Sequence, residues 1–198
     1  MIKANTAIKL SKNDITYHPL TPQDFVSLIR LANAVHGDGY LDLPSLTTWY
    51  QKGLSHHQNA SFVAYHQHKL VGFRITFTPD NWQIDQWVTP KLWRVASDKV
   101  CYFKCNTIDE NYRGLGLGRK LLELSIDIAK QQGAVAGVSH LWKQSPNNSA
   151  VSYFTKCGGE LVKSHPDKWN EESKKGYDCI LCGLDCHCEA AEMIIYFT

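Results

Sequence analysis

The chain has 198 residues, 43% of them hydrophobic and 20% charged, and carries a formal net charge of +2. That length suits one domain with a core of its own. The near-neutral balance excludes a general attraction to nucleic acid or to a membrane surface, and no stretch approaches the ~20 apolar residues of a membrane-spanning helix.

Residues 1–13 show no apolar run of the signal-peptide kind. Seven cysteines is an odd number, and Cys101 and Cys105 fall inside a candidate strand. A reducing, cytoplasmic setting is the simplest expectation. Residues 15–18 read as a short strand. Thr21 and Pro22 then open a helix, the threonine as cap and the proline in the first turn. Phe25, Leu28, Ile29, Ala32 and Val35 give it an apolar face, and 36–40 end it. A second helix is expected over 43–54. Residues 60–65 and 70–77 form a strand pair joined by a short turn. In the second of these, Val71, Phe73, Ile75 and Phe77 alternate with Gly72, Arg74, Thr76 and Thr78, which predicts a half-buried strand. Residues 79–98 are long, polar and carry Trp82, Trp87 and Trp93. They read as a lid or acceptor-binding insert, or else as a loop whose tryptophans cover an exposed core edge.

Residues 100–108 are rich in aromatic and β-branched side chains and read as the central strand. After a polar link come Arg113, Gly114, Leu115, Gly116, Leu117 and Gly118. A helix follows, with Leu117, Leu121, Leu124 and Ile128 on one face and Gly133 just past its end. Alternate glycines let backbone approach a ligand closely. Amides at the start of a helix suit a phosphate or pyrophosphate, and Arg113 adds charge. The loop lacks the Gly-Lys-Ser/Thr ending of a Walker loop. Its third glycine comes one residue too early for a dinucleotide fingerprint. Strands are expected over 134–142, 160–163 and 193–197, the last preceded by a polar and Cys-rich insert over 164–190.

Arg113-x-x-Gly116-x-Gly118, after a strand and opening a helix, resembles the acetyl-coenzyme A loop of the GCN5-related N-acetyltransferases, Gln/Arg-x-x-Gly-x-Gly/Ala. Asn147, Ala150, Lys156 and Gly158 resemble the family's second signature, Asn-x-x-Ala-x-x-x-Tyr-x-Lys-x-Gly. The resemblance spans 15–163. It implies an α/β fold in a single domain over 1–198, with a mixed central sheet of about seven strands. That sheet would be splayed between strands 4 and 5 and flanked by about four helices. It implies acetyl transfer from acetyl-coenzyme A to a primary amine, of a small molecule or amino acid. A peptide or protein acceptor is the enzymatic alternative. From another class, a non-catalytic acyl-coenzyme A, redox or metal sensor stays open. No nucleic acid or membrane partner is expected, and the protein would be a monomer or homodimer. Cofactor contacts are implied for Thr107 and Ile108 at the strand end. They are also implied for Arg113, Gly114, Leu115, Gly116, Leu117, Gly118 and Arg119 in the loop, and for Asn147 and Phe154 in the second signature.

Phe154 stands where the family carries a tyrosine that protonates the departing thiolate. Tyr153 is adjacent but turned about 100° away around a helix. Val100 falls where some members carry a glutamate base. Glu110, Asp109 and His140 remain as candidate bases, the histidine having a suitable unperturbed pKa. Residues 37–44 faintly resemble an acceptor-pocket stretch of histidine acetyltransferases. Asp38 and Tyr40 there, with Trp82 and Trp87 of the insert, are candidate acceptor contacts.

Cys179, Cys182, Cys186 and Cys188 lie within ten residues. Cys-x-x-Cys-Gly resembles a zinc knuckle, which Cys186, His187 or Cys188 could complete. The two halves are very close in sequence, so reduced structural cysteines or a regulatory disulfide are read ahead of zinc.

Overall fold

The computed structural model describes residues 14–198; the reading of residues 1–13 lies outside them. Among the described residues nine strands run in chain order as β1 (Ile15–Pro19), β2 (Leu54–Ser55), β3 (Gln58–Asn59), β4 (Phe62–His66), β5 (Lys69–Phe77), β6 (Val100–Ile108), β7 (Ala136–Trp142), β8 (Glu160–His165) and β9 (Ala190–Tyr196). β2 and β3 form a small ribbon of their own. The other seven make one mixed sheet in the order β1-β4-β5-β6-β7-β9-β8. Only β6 and β7 are parallel neighbours. The helices are α1 (Phe25–His36), α2 (Leu43–Lys52), α3 (Leu117–Gln131), α4 (Ser149–Lys156) and the short α5 (Asn170–Lys174). α5 is one helix more than expected.

Local chemistry sets the first two helices. The backbone amide and hydroxyl of Thr21 both donate to Asp24 at 2.8 Å, fixing the turn that leads into α1. Asp42 accepts the Ser45 amide at 2.8 Å and caps α2. Both helices cover one face of the sheet, where Leu28, Ala32 and Leu46 meet Phe73, Ile75 and Phe77. α3 covers the other face, with Leu117 and Leu121 against Phe62, Ala64 and Val71. α4 joins it there through Phe154, which packs with Phe103 and Leu122.

This two-sided cover corrects the reading of β5 as half-buried. It is a central strand, and Arg74, Thr76 and Thr78 are as enclosed as the apolar residues between them. The second helix ends at Lys52, two residues early, because the chain turns at Gly53. A side chain there would meet Asn59 Oδ1 and the Thr76 carbonyl, each at 2.6 Å. The strand expected over 134–142 starts at Ala136, and the expected closing strand starts at Ala190 and lies between β7 and β8.

The Trp-rich stretch 79–98 packs down rather than standing off. Val88 and Trp93 bury against Val100, Ala136, Val138 and Ile194, on the α1/α2 side of the sheet. Among the described residues no helix is long and apolar enough to cross a membrane.

Candidate active site

The site begins where the sheet opens. β6 and β7 pair only from Val100 to Tyr102, against Ala136 to Val138. Beyond that the strands part, and the Ser139 hydroxyl donates across the start of the gap to the Phe103 carbonyl at 2.8 Å. β6 also carries a bulge. Its pairing with β5 jumps from Phe103 to Cys105 and leaves Lys104 without a partner residue. A bulge bends its strand and re-aims side chains. Here Lys104 and Cys105 both reach the α1/α2 face. The Lys104 ammonium lies 4.9 Å from the Trp49 ring centre, and Cys105 joins the core under α1.

On the opposite face, the glycine loop enters α3. Gly114 and Gly116 have φ of +80° and +83°, values that strain any residue with a Cβ, and Gly116 caps the helix. A side chain at Gly118 would come within 3.2 Å of Asn106 Nδ2 and 3.5 Å of the Tyr153 ring. The start of α3 and the length of α4 then flank a cavity of about 470 Å³, with Arg119, Asn147, Ser152, Tyr153 and Lys156 in its lining. Asn147 and Asn148 turn the chain there with φ of 56° and 51°, a conformation asparagine tolerates. So Arg119 and Asn147, 28 positions apart in sequence, share one cavity. Thr107, Ile108 and Arg113 lie at the adjoining strand end, where the Arg113 Nε donates to the Ile108 carbonyl at 3.4 Å. Leu117 is core beneath the loop, and Leu115 packs at its margin. Phe154 is fully buried edge-on to Phe103 and serves as core.

Tyr153 is engaged on both sides. Its hydroxyl donates to the Gly118 carbonyl at 2.9 Å and accepts from the Arg74 guanidinium at 2.6 Å. Arg74 is 2% exposed, with the Phe103 and Tyr153 rings against its guanidinium. Arg74 Nε and Asn106 Oδ1 are both buried without a hydrogen-bond partner. Neither residue was singled out from sequence. In sequence Arg74 is one of the polar residues that alternate along a strand expected to be half-buried.

The α1/α2 face of the gap is aromatic. His36 hydrogen-bonds the Thr107 hydroxyl at 2.8 Å through Nε2, and its ring lies tilted against Tyr40 with centroids 4.4 Å apart. The rings of Trp49, Phe77, Tyr102 and Trp82 follow in contact. Burial, reinforced by the Arg113 guanidinium, pushes His36 down to about 4. His140 sits deeper, on β7. Its Nε2 donates to the Trp87 carbonyl, and its Nδ1 accepts from the Tyr102 hydroxyl at 3.0 Å. Burial and the Lys168 charge push it, too, to about 4. With both ring nitrogens engaged, His140 has no spare lone pair to receive a proton. Glu110 is exposed in a short 3-10 turn after β6, and Asp38 is exposed on the turn after α1.

Glu192 pegs the Trp-rich stretch to the sheet. One carboxylate oxygen accepts the Thr89 amide at 2.9 Å and the Trp93 indole at 3.0 Å. The other accepts the Thr89 hydroxyl at 2.6 Å and His165 Nε2 at 2.9 Å. Burial opposes its charge, but these donors outweigh burial and hold the carboxyl below its ordinary value. His140, His165 and Glu192 bring ligand atoms within 4.8 Å of one another. The four donors already occupy the carboxylate, so this group reads as a peg.

Two lysines remain. Lys168 is buried with its ammonium 5.4 Å from the Trp87 ring centre. Burial lowers both Lys168 and Lys104, the Lys104 charge lowers Lys168 further, and the carboxylates of Glu172 and Asp85 act on both in the opposite direction.

The model of the Acetyltransferase (GNAT) family matches residues 25–159, more than half of the chain. The chain belongs to this family. The GNAT fold is also that of its structural neighbours. Ard1 from Thermoplasma volcanium superposes with a TM-score of 0.67 at 14% identity, over 93% of this chain and 99% of that one. Arabidopsis thaliana Naa50, in complex with the bisubstrate analogue CoA-Ac-MVNAL, gives 0.61 at 17% identity, over 93% and 99%. The IAA acetyltransferase from Bacillus cereus gives 0.59 at 18% identity, over 92% and 98%. No curated protein matches the sequence significantly. As a GNAT chain it is an acyltransferase, and the gap between β6 and β7 is the splay expected between strands 4 and 5.

Proposed function

We propose that the protein moves the acetyl group of acetyl-coenzyme A to the amino group of a small acceptor that also bears an anionic group, an amino acid being the simplest. The pair Lys104 and Lys168 carries this reading. Both ammonium groups are largely desolvated; each rests against an indole face with charges at the rim, and among the described residues neither has a carboxylate at bonding distance. Desolvated cations of this kind favour an anionic ligand. Asp85 and Glu172 are exposed near them and suit the acceptor's ammonium group before it loses its proton.

Acetyl-coenzyme A fits the other face. The amides of the glycine loop and the N-terminus of α3 suit its diphosphate, with Arg119 and Lys156 adding charge. Asn147 in the cavity lining and the unpartnered Asn106 Oδ1 suit the amides of the pantetheine arm. Backbone at 105–108, freed from β7, supplies donors for the thioester carbonyl. Holding the two substrates on either side of one gap is proximity catalysis. His36, neutral above about pH 4 and anchored on Thr107, is the group placed to take the amine's proton. Tyr40 and Trp82 belong to the aromatic wall beside it. The departing thiol needs little help, since a free cysteine thiol already has a pKa of about 8.5.

The test is acetyl-coenzyme A binding by calorimetry for wild type and Gly116→Asp, followed by thiol release across amino acids and their decarboxylated amines. Wild type binds and the variant does not. Amino acids react faster than the matching amines, and Lys168→Gln removes that advantage, about 10- to 100-fold in kcat/KM, with acetyl-coenzyme A affinity unchanged. Equal rates for amino acids and amines would refute the acceptor. No acetyl-coenzyme A binding by folded wild type would refute the donor.

A further inference from the structure

Cys179, Cys182, Cys186 and Cys188 converge. Their four sulfurs all lie within 4.8 Å of one another. Cys188 Sγ is 3.9 Å from Cys179 Sγ and 3.6 Å from Cys182 Sγ. A tetrahedron of sulfurs around zinc, with Zn–S bonds of about 2.3 Å, has edges of about 3.8 Å. Disulfide sulfurs lie about 2.05 Å apart, and all four thiols are free.

Closeness in sequence, which weighed against zinc, is no obstacle once the turn is seen. Gly183, with φ of +67°, reverses the chain, and its amide and carbonyl pair with those of Cys179 at 2.8 and 3.1 Å. The reversal brings Cys-x-x-Cys back against Cys-x-Cys. Amides then point at the sulfurs: those of Leu181 and Cys182 at Cys179, and that of Cys188 at Cys186. Trp142 hydrogen-bonds Cys188 as well. Such donors orient metal ligands. His187 takes no part, because its ring nitrogens meet Asp167 at 2.8 Å and Asp185 at 3.3 Å.

The surroundings offer little else to order the segment. Between β8 and β9 the regular structure among the described residues is one five-residue helix, and Ile180, Leu181 and Leu184 face solvent. The segment's own core is three buried cysteines framed by Trp142, Trp169 and Tyr177. A core that small gains most from a crosslink or metal.

We propose that these four cysteines form a structural zinc site, closed by four thiolates. The tetrahedral sulfur set selects zinc over hard cations, and the closed coordination makes its role structural. The site braces an acceptor-side wall. Tyr177 donates to the His36 carbonyl at 3.3 Å and contacts the Tyr40 ring, and a side chain at Gly37 would lie 2.5 Å from the Asp178 carbonyl.

The experiment is elemental analysis of the full chain, purified without chelators under reducing conditions, together with cobalt(II) titration of the metal-stripped protein. About one zinc per chain is expected, with cobalt giving the intense visible bands of a tetrahedral thiolate site. Cys182 is the exposed ligand, so Cys182→Ser disturbs packing least. It should bind zinc more than about tenfold more weakly in competition with a chelator, and proteolysis should then cut within 166–189. Absence of zinc together with no cobalt–thiolate spectrum would overturn the proposal. So would a red iron–thiolate spectrum in the purified protein, or full zinc affinity in Cys182→Ser. Metal content and spectra do not depend on turnover, so the result stands apart from the acetyl-transfer reading.

Discussion

Acidification tests the two buried histidines directly. His36 and His140 are each pushed from the ordinary 6.5 to about 4. Between those values the unfolded chain binds protons that the folded protein refuses. Stability from this source is therefore present above about pH 6.5 and is lost as the pH falls toward 4. Taking these shifts, each histidine contributes about 2 kcal/mol of loss between pH 8 and pH 5. Both rings keep some solvent access, which about halves the sum to roughly 2 kcal/mol. For a domain of this size that lowers Tm by roughly 4–8 °C. The assay is thermal unfolding at fixed ionic strength across pH 8 to 5, for wild type, His36→Gln and His140→Gln. Each variant should lose stability overall yet show about half the wild-type slope. Zinc release in acid adds the same slope to all three proteins, so the difference between slopes carries the argument. Parallel curves for all three would refute the claim that these rings are held neutral by burial.

Two further substitutions probe the frame of the site. Glu192→Gln replaces an acceptor of four hydrogen bonds with a group that must turn an amide toward donors. A loss of about 3 kcal/mol is expected by chemical denaturation, with a red shift of tryptophan emission and new proteolytic cuts within 79–98. Unchanged emission and protease resistance would show that the stretch is held by other means. Gly118→Val places a side chain against Asn106 and Tyr153. An overpacking cost of about 1–3 kcal/mol should appear in Tm together with weaker acetyl-coenzyme A binding, whereas unaltered affinity would move the cofactor away from this loop.

What the sequence disclosed was local. The glycine loop, the strand before it and the helix after it need only the spacing of neighbours, and they fell where expected. Arg74 was misread because its environment comes from Tyr153, 79 positions away, and from the lid of α3 over the second face of β5. Alternation of small polar and apolar residues does not say whether a helix will cover the polar side. His36 looked like a helix terminator, and its bond to Thr107 joins residues 71 positions apart. His140 looked like a base because nothing in sequence reveals that the Trp87 carbonyl and Tyr102 hydroxyl take both its nitrogens. The cysteine cluster was legible as a cluster. Its geometry was not, since it turns on one glycine in a left-handed conformation.

The family match ends at residue 159, yet the proposed acceptor side is built in good part from chain beyond it. Lys168, Glu172 and Tyr177 all lie between β8 and β9. Lys168 rests on Trp87 of the earlier insert, so the two irregular segments meet over the same mouth of the splay. The earlier one is pegged through Thr89 and Trp93 to Glu192, and the later one gathers its cysteines against Trp142. Both anchors sit on β7 or β9, the strands on the far side of the gap. A sheet that keeps its glycine loop on one face can thus change acceptors by changing what is fastened to the other. Loops can select a small ligand only if they are held still, because ordering them at binding would consume the interaction energy. The buried carboxylate and the four-sulfur cluster supply that rigidity where the segments themselves have only short helical turns, which is why substitutions at either anchor should alter acceptor KM before they alter the affinity for acetyl-coenzyme A.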